Sequence, residues 1–185
     1  MQSIQTVSEN TIYVGASDRR LAKFENLFPI PRGVSYNAYV ILDEKTALLD
    51  TADASVGAQF LENVAAALDG RKLDYLIVDH MEPDHAAMIE AVLVRWPDLR
   101  LVVNAKTLPM LKMYFPTDSA AIDDALVVKE GDTLDLGKHK LTFVMAPMVH
   151  WPEVMMTFDT TTGTLFSADA FGTFGAWRVP CSLMR

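Results

Sequence analysis

Hydrophobic and polar positions along the first two thirds of the chain predict strands that alternate with helices. Short apolar or alternating runs rich in β-branched and aromatic residues predict strands, at residues 11–14, 38–42, 46–50, 75–78 and 99–103. Apolar residues at helical spacing predict helices, at residues 56–68, 86–96 and 107–115. Gly70, Pro97 and Pro116 follow these helices closely and are typical of their ends.

The pattern changes after Asp124, where helical spacing gives way to a run of strands. Five such runs occupy residues 126–128, 133–136, 141–145, 154–158 and 164–167. Gly137 and Gly163 mark turns between them. Strands, then alternating strands and helices, then strands again predict an α/β sandwich with helices outside two sheets. Because the second half has no helix of its own before Arg185, we expect the sandwich to be incomplete at its C-terminal end.

Composition fits one soluble domain over residues 1–185 and argues against several classes of protein. The chain has 50% hydrophobic and 22% charged residues, with a net charge of −8. An acidic chain without a Lys/Arg run is a poor ligand for nucleic acid or an anionic membrane. No apolar run reaches the length of a membrane span. The first ten residues lack the regions of a signal peptide, so we expect a cytoplasmic protein.

Four metal-binding side chain types lie within six residues, at His80, Glu82, Asp84 and His85. They follow a predicted buried strand and precede a predicted helix, where α/β proteins bind ligands. In an extended loop alternate residues point the same way, so three of the four can converge while the fourth faces a second ion. Without a cation, such a cluster would be repulsive. The segment predicts a metal site.

Two further candidates, His150 and Asp169, each follow a predicted strand near the sheet edge. Taken alone, His150 is as well explained by a structural role, and Asp169 by a turn or helix cap. Together with the first cluster they give three imidazoles and three carboxylates, a set that suits iron, manganese or zinc. The lone cysteine, Cys181, excludes a thiolate-rich site and an internal disulfide. Three carboxylates and a bridging hydroxide would balance two divalent ions.

The pattern His-x-Glu-x-Asp-His at residues 80–85 resembles the His-x-His-x-Asp-His motif of the metallo-β-lactamase superfamily. Glutamate in place of the middle histidine is typical of the flavodiiron proteins, whose ions are iron rather than zinc. Segments 31–39, 146–153 and 166–172 are similar to this family too, in the same order. The resemblance covers about residues 12–176.

This resemblance implies a metallo-β-lactamase-like αββα sandwich with two iron ions. It assigns the first iron to His80, Glu82 and His150, the second to Asp84 and His85, and a bridging role to Asp169. The family's second iron also takes a later histidine, and its flavodoxin domain carries FMN. We find neither in this sequence, so the resemblance implies a partial diiron domain that receives electrons from an FMN on a flavodoxin domain or a partner.

The implied activity is reduction of O2 to water, of NO to N2O, or of both. The implied partners are an electron donor of flavodoxin or rubredoxin type and further copies of the chain. Two alternatives remain: a metal-dependent hydrolase that uses a metal-bound hydroxide, and a diiron module that senses O2 without turnover. Glu82 argues against the hydrolase, because a carboxylate at that position favours iron.

Overall fold

The computed structural model describes residues 3–116 and 119–177, so Cys181 lies outside the described residues. In chain order the strands are β1 Gln5–Ser8, β2 Thr11–Tyr13, β3 Ala16–Asp18, β4 Lys23–Phe24, β5 Phe28–Pro29, β6 Val34–Tyr36, β7 Tyr39–Leu42, β8 Thr46–Leu49, β9 Tyr75–Ile77, β10 Arg100–Asn104, β11 Leu126–Val128, β12 Thr133–Asp135, β13 Lys140–Met145, β14 Met155–Asp159 and β15 Thr164–Phe166. The helices are α1 Gly57–Leu68, α2 Pro83–Ala86, α3 Ile89–Arg95, α4 Thr107–Tyr114 and α5 Ser119–Asp123, with a 3₁₀ turn at Ala54–Val56 before α1.

A seven-stranded sheet has the order β1-β2-β7-β8-β9-β10-β11. Its strands are antiparallel from β1 to β8 and parallel from β8 to β11. Parallel neighbours need crossover connections, which α1, α3 and the α4–α5 pair supply. As a result β8, β9 and β10 all end at the same edge of the sheet.

Both faces of this sheet are buried, each against a different layer. Leu48 and Leu76 belong to the core shared with α1, α3 and α4, whereas Leu49 and Ile77 belong to a second core. Adjacent residues of a strand point to opposite faces, so the central strands are continuously apolar, as is typical of parallel sheets.

The second core lies between the seven-stranded sheet and an antiparallel sheet of order β12-β13-β14-β15. Phe143 and Met155 contribute to it from the smaller sheet. The described residues thus form a helical layer and two sheets, the α/β metallo-β-lactamase-like sandwich that the sequence predicts. Within residues 3–116 and 119–177, no helix covers the outer face of the smaller sheet.

The predicted helix over residues 86–96 corresponds to α3, and the short α2, which was not predicted, precedes it and shares only residue 86 with the predicted range. Thr51, in the loop after β8, donates its N–H and hydroxyl to the carbonyl of His85, at 2.8 and 2.6 Å. This carbonyl is therefore bound from outside the helix, and the N–H of Met88 donates to the Thr51 hydroxyl at 3.3 Å. The short α2 fixes His85 in place.

Two short ribbons, β3 with β6 and β4 with β5, were not predicted, nor were β1 and α5. None of these strands is a run of apolar residues, so their pairing partners define them rather than a pattern of their own. None of the helices in the described ranges has both the length and the hydropathy needed to cross a bilayer.

Candidate metal centre

The edge at which β8, β9 and β10 end carries the predicted cluster. Asp50 follows β8, the segment 78–85 follows β9, and Asn104 is the last residue of β10. Glu82 is extended, with φ −61° and ψ 144°, and α2 begins at Pro83, a residue favoured at the first helical position. The cluster is therefore split between an extended loop and the first turn of a helix, and its side chains face two groups.

The first group contains His80, Glu82, His150 and Asp169. Glu82 Oε2 lies 3.1 Å from His80 Nε2 and 2.9 Å from His150 Nε2. Asp169 Oδ2 lies 3.3 Å from His150 Nε2 and 3.7 Å from His80 Nε2. One ligand atom from each residue lies within 4.8 Å of all the others, which is the spacing of donors around one ion.

The second group contains Asp84, His85 and, again, Asp169. His85 Nε2 lies 2.8 Å from Asp169 Oδ1 and 3.7 Å from Asp84 Oδ2. Asp169 therefore turns one oxygen to each group. All six residues predicted from the sequence meet here, although their assignment as ligands remains a prediction.

The chemistry of these residues fits two divalent cations. All donors are imidazole nitrogens or carboxylate oxygens, the set that suits iron, manganese or zinc. His80, Glu82 and His85 are buried. Asp84 Oδ1 is also buried and has no hydrogen-bond partner among the described residues. An unpaired buried carboxylate oxygen is costly, and a cation at the second group would satisfy it.

Without metal, hydrogen bonds between imidazoles and carboxylates shift the pKa values of several groups in the centre. Hydrogen bonding to His80 lowers the pKa of Glu82. Burial disfavours the charged form of Asp169, but bonds to His85 and His150 hold its pKa below the usual range. Burial likewise opposes protonation of His80 and His85, yet their carboxylate partners raise the pKa of both. A metal ion would replace these protons.

Asp84 behaves differently from the other carboxylates of the centre. Burial raises its pKa to about 6, while the charges of His85 and Asp169 act in opposite directions. Asp84 is therefore destabilised as an anion in the metal-free protein. A cation in the second group would reverse that penalty.

Two outer carboxylates, Asp50 and Glu153, were not predicted. Asp50 Oδ2 lies 3.0 Å from His85 Nδ1, and Glu153 Oε1 lies 2.8 Å from His80 Nδ1. Two features of the sequence could have indicated these residues. Asp50 directly follows a buried strand, and Glu153 lies in the same motif as His150. Neither signal by itself states which histidine is contacted.

The fourth histidine, His139, lies outside both groups of the centre. Its Nδ1 is 2.8 Å from Asp159 Oδ2, and both residues are buried. His139 therefore pairs with Asp159 and contacts neither group of candidate ligands among the described residues.

One side of the centre is open. The His150 side chain is 54% exposed and that of Asp169 is 36% exposed. A cavity of about 260 Å³ adjoins Glu82 and Asp84, with Tyr36 and Glu25 also in its wall. Burial raises the pKa of Tyr36 to about 12. A small molecule can approach the centre through this cavity.

The fold is that of a metallo-β-lactamase-like protein, and the two groups are candidate ligands for two ions. A family model described as ODP family beta lactamase matches residues 34–182. The chain belongs to this family.

Curated relatives match 90% of the chain. A Thermosynechococcus vestitus protein described as a diflavin flavoprotein is 38% identical over 169 residues. An anaerobic nitric oxide reductase flavorubredoxin from Klebsiella pneumoniae is 37% identical over 168 residues. The chain spans 28% and 34% of their respective lengths.

The chain is also similar to solved structures of flavodiiron-type proteins. The flavodiiron protein of Giardia intestinalis matches 97% of the chain with a TM-score of 0.89 and 27% identity. Rubredoxin oxygen:oxidoreductase from Desulfovibrio gigas matches 95% with a TM-score of 0.88 and 31% identity. The chain covers 43% of each of these structures.

Proposed function

We propose that the chain is the diiron domain of a flavodiiron-type oxidoreductase that reduces O2 to water, NO to N2O, or both. The observation that carries the proposal is the carboxylate of Asp169, which presents one oxygen to each group of candidate ligands. A shared carboxylate between two ligand groups is the arrangement needed for two adjacent ions. Relatives named as a nitric oxide reductase and as an oxygen oxidoreductase support the redox chemistry.

In this proposal His80, Glu82 and His150 would hold the first iron, Asp84 and His85 would hold the second, and Asp169 would serve both. When bound, two ferrous ions supply two electrons at one place. Two NO, two electrons and two protons give N2O and water, while O2 needs four electrons and four protons to give two waters.

The protein's own contribution is position, charge and restricted access of water. His80 is fully buried and packs edge-on against the ring of Trp151, with centroids 5.3 Å apart. The cavity beside Glu82 and Asp84 gives a diatomic molecule a route to the same side of both groups.

Electrons come, in this proposal, from FMN on a flavodoxin domain or on a partner of flavodoxin or rubredoxin type. The names diflavin flavoprotein and flavorubredoxin among the relatives support a flavin donor. A donor must approach from the open side of the centre at His150, and we include homo-oligomer formation and a cytoplasmic location in the proposal. The single cysteine in the sequence fits a reducing compartment.

The test is anaerobic reconstitution with ferrous iron, followed by addition of reduced FMN and then of O2 or NO. We expect slow consumption of one or both gases, with N2O formed from NO. Asp169→Asn should abolish consumption, and His139→Gln, a change at a buried histidine outside the centre, should not. Metal-dependent hydrolysis of thioesters, β-lactams or phosphodiesters without gas consumption would overturn the proposal, as would tight zinc binding unaffected by Glu82→Ala.

A further inference from the structure

His80 is held from both sides of its ring. Its Nε2 faces the first group, 3.1 Å from Glu82 Oε2, and its Nδ1 lies 2.8 Å from Glu153 Oε1. The same Glu153 oxygen accepts the N–H of Met81 at 3.0 Å. Glu153 gives Nδ1 a carboxylate acceptor, so when a metal ion occupies the first group Nδ1 would keep its proton and Nε2 would offer its lone pair to the ion.

Glu153 is itself fixed to the seven-stranded sheet. Its backbone carbonyl accepts the side-chain amide of Asn104 at 2.5 Å. Asn104 Oδ1 in turn accepts the N–H groups of Lys106 and Thr107 at the start of α4, at 2.8 and 3.1 Å. A continuous set of hydrogen bonds therefore runs from α4 through Glu153 to His80, which fixes the direction of the ring.

Glu153 is also costly to bury. It is 1% exposed, and its Oε2 has no hydrogen-bond partner among the described residues. Asp159 offers a comparison, because it is a buried carboxylate that contacts His139, a histidine outside the centre. Both of its oxygens have hydrogen-bond partners. Its Oδ2 accepts from His139 and from the Thr162 hydroxyl, and its Oδ1 accepts from the N–H of Thr161.

The unpaired oxygen of Glu153 distinguishes a carboxylate that acts on a metal ligand from one that only supports the fold. A carboxylate that only joined two loops would have partners for both oxygens, as Asp159 does. A buried charge with an unpaired oxygen needs an opposite charge nearby. A cation bound to Nε2 of His80, on the far side of the ring, would provide it.

We propose that Glu153 is a positioning residue for the first metal position: it fixes the tautomer and direction of His80 and offsets part of the ion's charge through the ring. Asp50 makes the corresponding contact in the second group, with Nδ1 of His85. The inference rests on the metal centre of the proposed function but not on its reaction. Losing such a partner typically lowers metal affinity by ~10–100-fold.

The experiment is a cobalt(II) titration of the full chain, followed by its absorption bands and by competition with a chelator. Glu153→Gln keeps an acceptor for His80 and Met81 but removes the charge, and Glu153→Ala removes both. We expect Glu153→Gln to weaken the first position by about 10-fold and Glu153→Ala by up to about 100-fold, with the second position little changed. Asp159→Asn is the matched control and should bind as the unaltered chain does.

A second measurement tests the proton on His80 directly and does not depend on metal affinity. In the zinc-loaded protein, the proton on Nδ1 of His80 should give a hydrogen-bonded ring N–H signal in NMR spectra, which Glu153→Ala should abolish. If Glu153→Gln does not fold, Asn104→Ala loosens the same set of hydrogen bonds while keeping the carboxylate, and should weaken the first position.

The outcomes distinguish this inference from the function on which it rests. If the unaltered chain binds two cobalt ions and Glu153→Gln binds both equally well, the charge of Glu153 is not required. That result overturns the inference and leaves the proposed function standing. If the unaltered chain binds no metal, the proposed function fails, and the inference fails with it.

Discussion

Asp169 Oδ1 lies 2.8 Å from Nε2 of His85, while Oδ2 of the same carboxylate faces the first group of ligands. One residue thus belongs to both groups, so a change at this position should affect both candidate metal positions at once.

Replacing Asp169 should therefore remove metal from both positions, whereas replacing Asp84 should affect only the second. We expect Asp169→Ala to bind less than one iron per chain after gel filtration, and Asp84→Ala to keep about one. The measurement is elemental analysis of anaerobically reconstituted protein. Equal losses in the two variants would contradict a bridging role.

The two positions should also differ in the unaltered chain. The first group has four residues and the second has three, including the shared Asp169. With one imidazole instead of two, the second position should lose its ion first under a mild chelator, in two resolved phases. Release of both ions in a single phase would show that another group completes the second position.

Metal binding should release protons and strengthen as pH rises. In the metal-free protein the pKa values of His80 and His85 are raised above 6.5, so protons compete with metal above that pH as well. Calorimetry in buffers of different ionisation enthalpy measures the protons released. We expect metal affinity to rise continuously between pH 6 and pH 8, at about the pH range of histidine titration.

Stability of the metal-free protein should show the opposite dependence. A histidine whose folded pKa is raised stabilises the fold fully below its unfolded pKa, near 6.5, and that contribution is lost as pH rises through the folded value. The free energy of unfolding without metal should therefore fall from pH 6.5 upward. Denaturant titrations at several pH values test this. A free energy that rose with pH would contradict the raised pKa values.

Asp84→Asn should stabilise the metal-free protein while weakening the second metal position. Burial raises the pKa of Asp84 to about 6, which places its ionised form at a disadvantage above that pH. Removing the charge should raise the free energy of unfolding at pH 8 by on the order of 2 kcal/mol. At pH 4, where Asp84 is protonated in the fold, the gain should disappear. A loss of stability at pH 8 would argue against a buried, unfavourable carboxylate.

His139 should contribute to stability and not to metal binding. It is 1% exposed and hydrogen-bonded to Asp159, which is fully buried. His139→Ala would leave Asp159 without one of its partners and should lower the free energy of unfolding by about 1–3 kcal/mol. Metal content, measured in parallel, should stay unchanged. Loss of an ion in this variant would make His139 a candidate ligand.

The sequence by itself determined the chemistry of the centre and most of the long elements. His80, Glu82, Asp84 and His85 are close in sequence, so a short loop brings them together in any fold that orders it. The central strands and α1 are predicted correctly to within a few residues, because the strands are short apolar runs and α1 has apolar residues at helical spacing.

Only the tertiary structure decided how distant residues meet. His150 and Asp169 reach the cluster because the smaller sheet packs on the larger one, through a core that no local pattern specifies. The contacts of Asp50 with His85 and of Glu153 with His80 depend on the alignment of different strands, as does the division of Asp169 between two groups. Local periodicity reports which face of an element is buried, but not which element covers it.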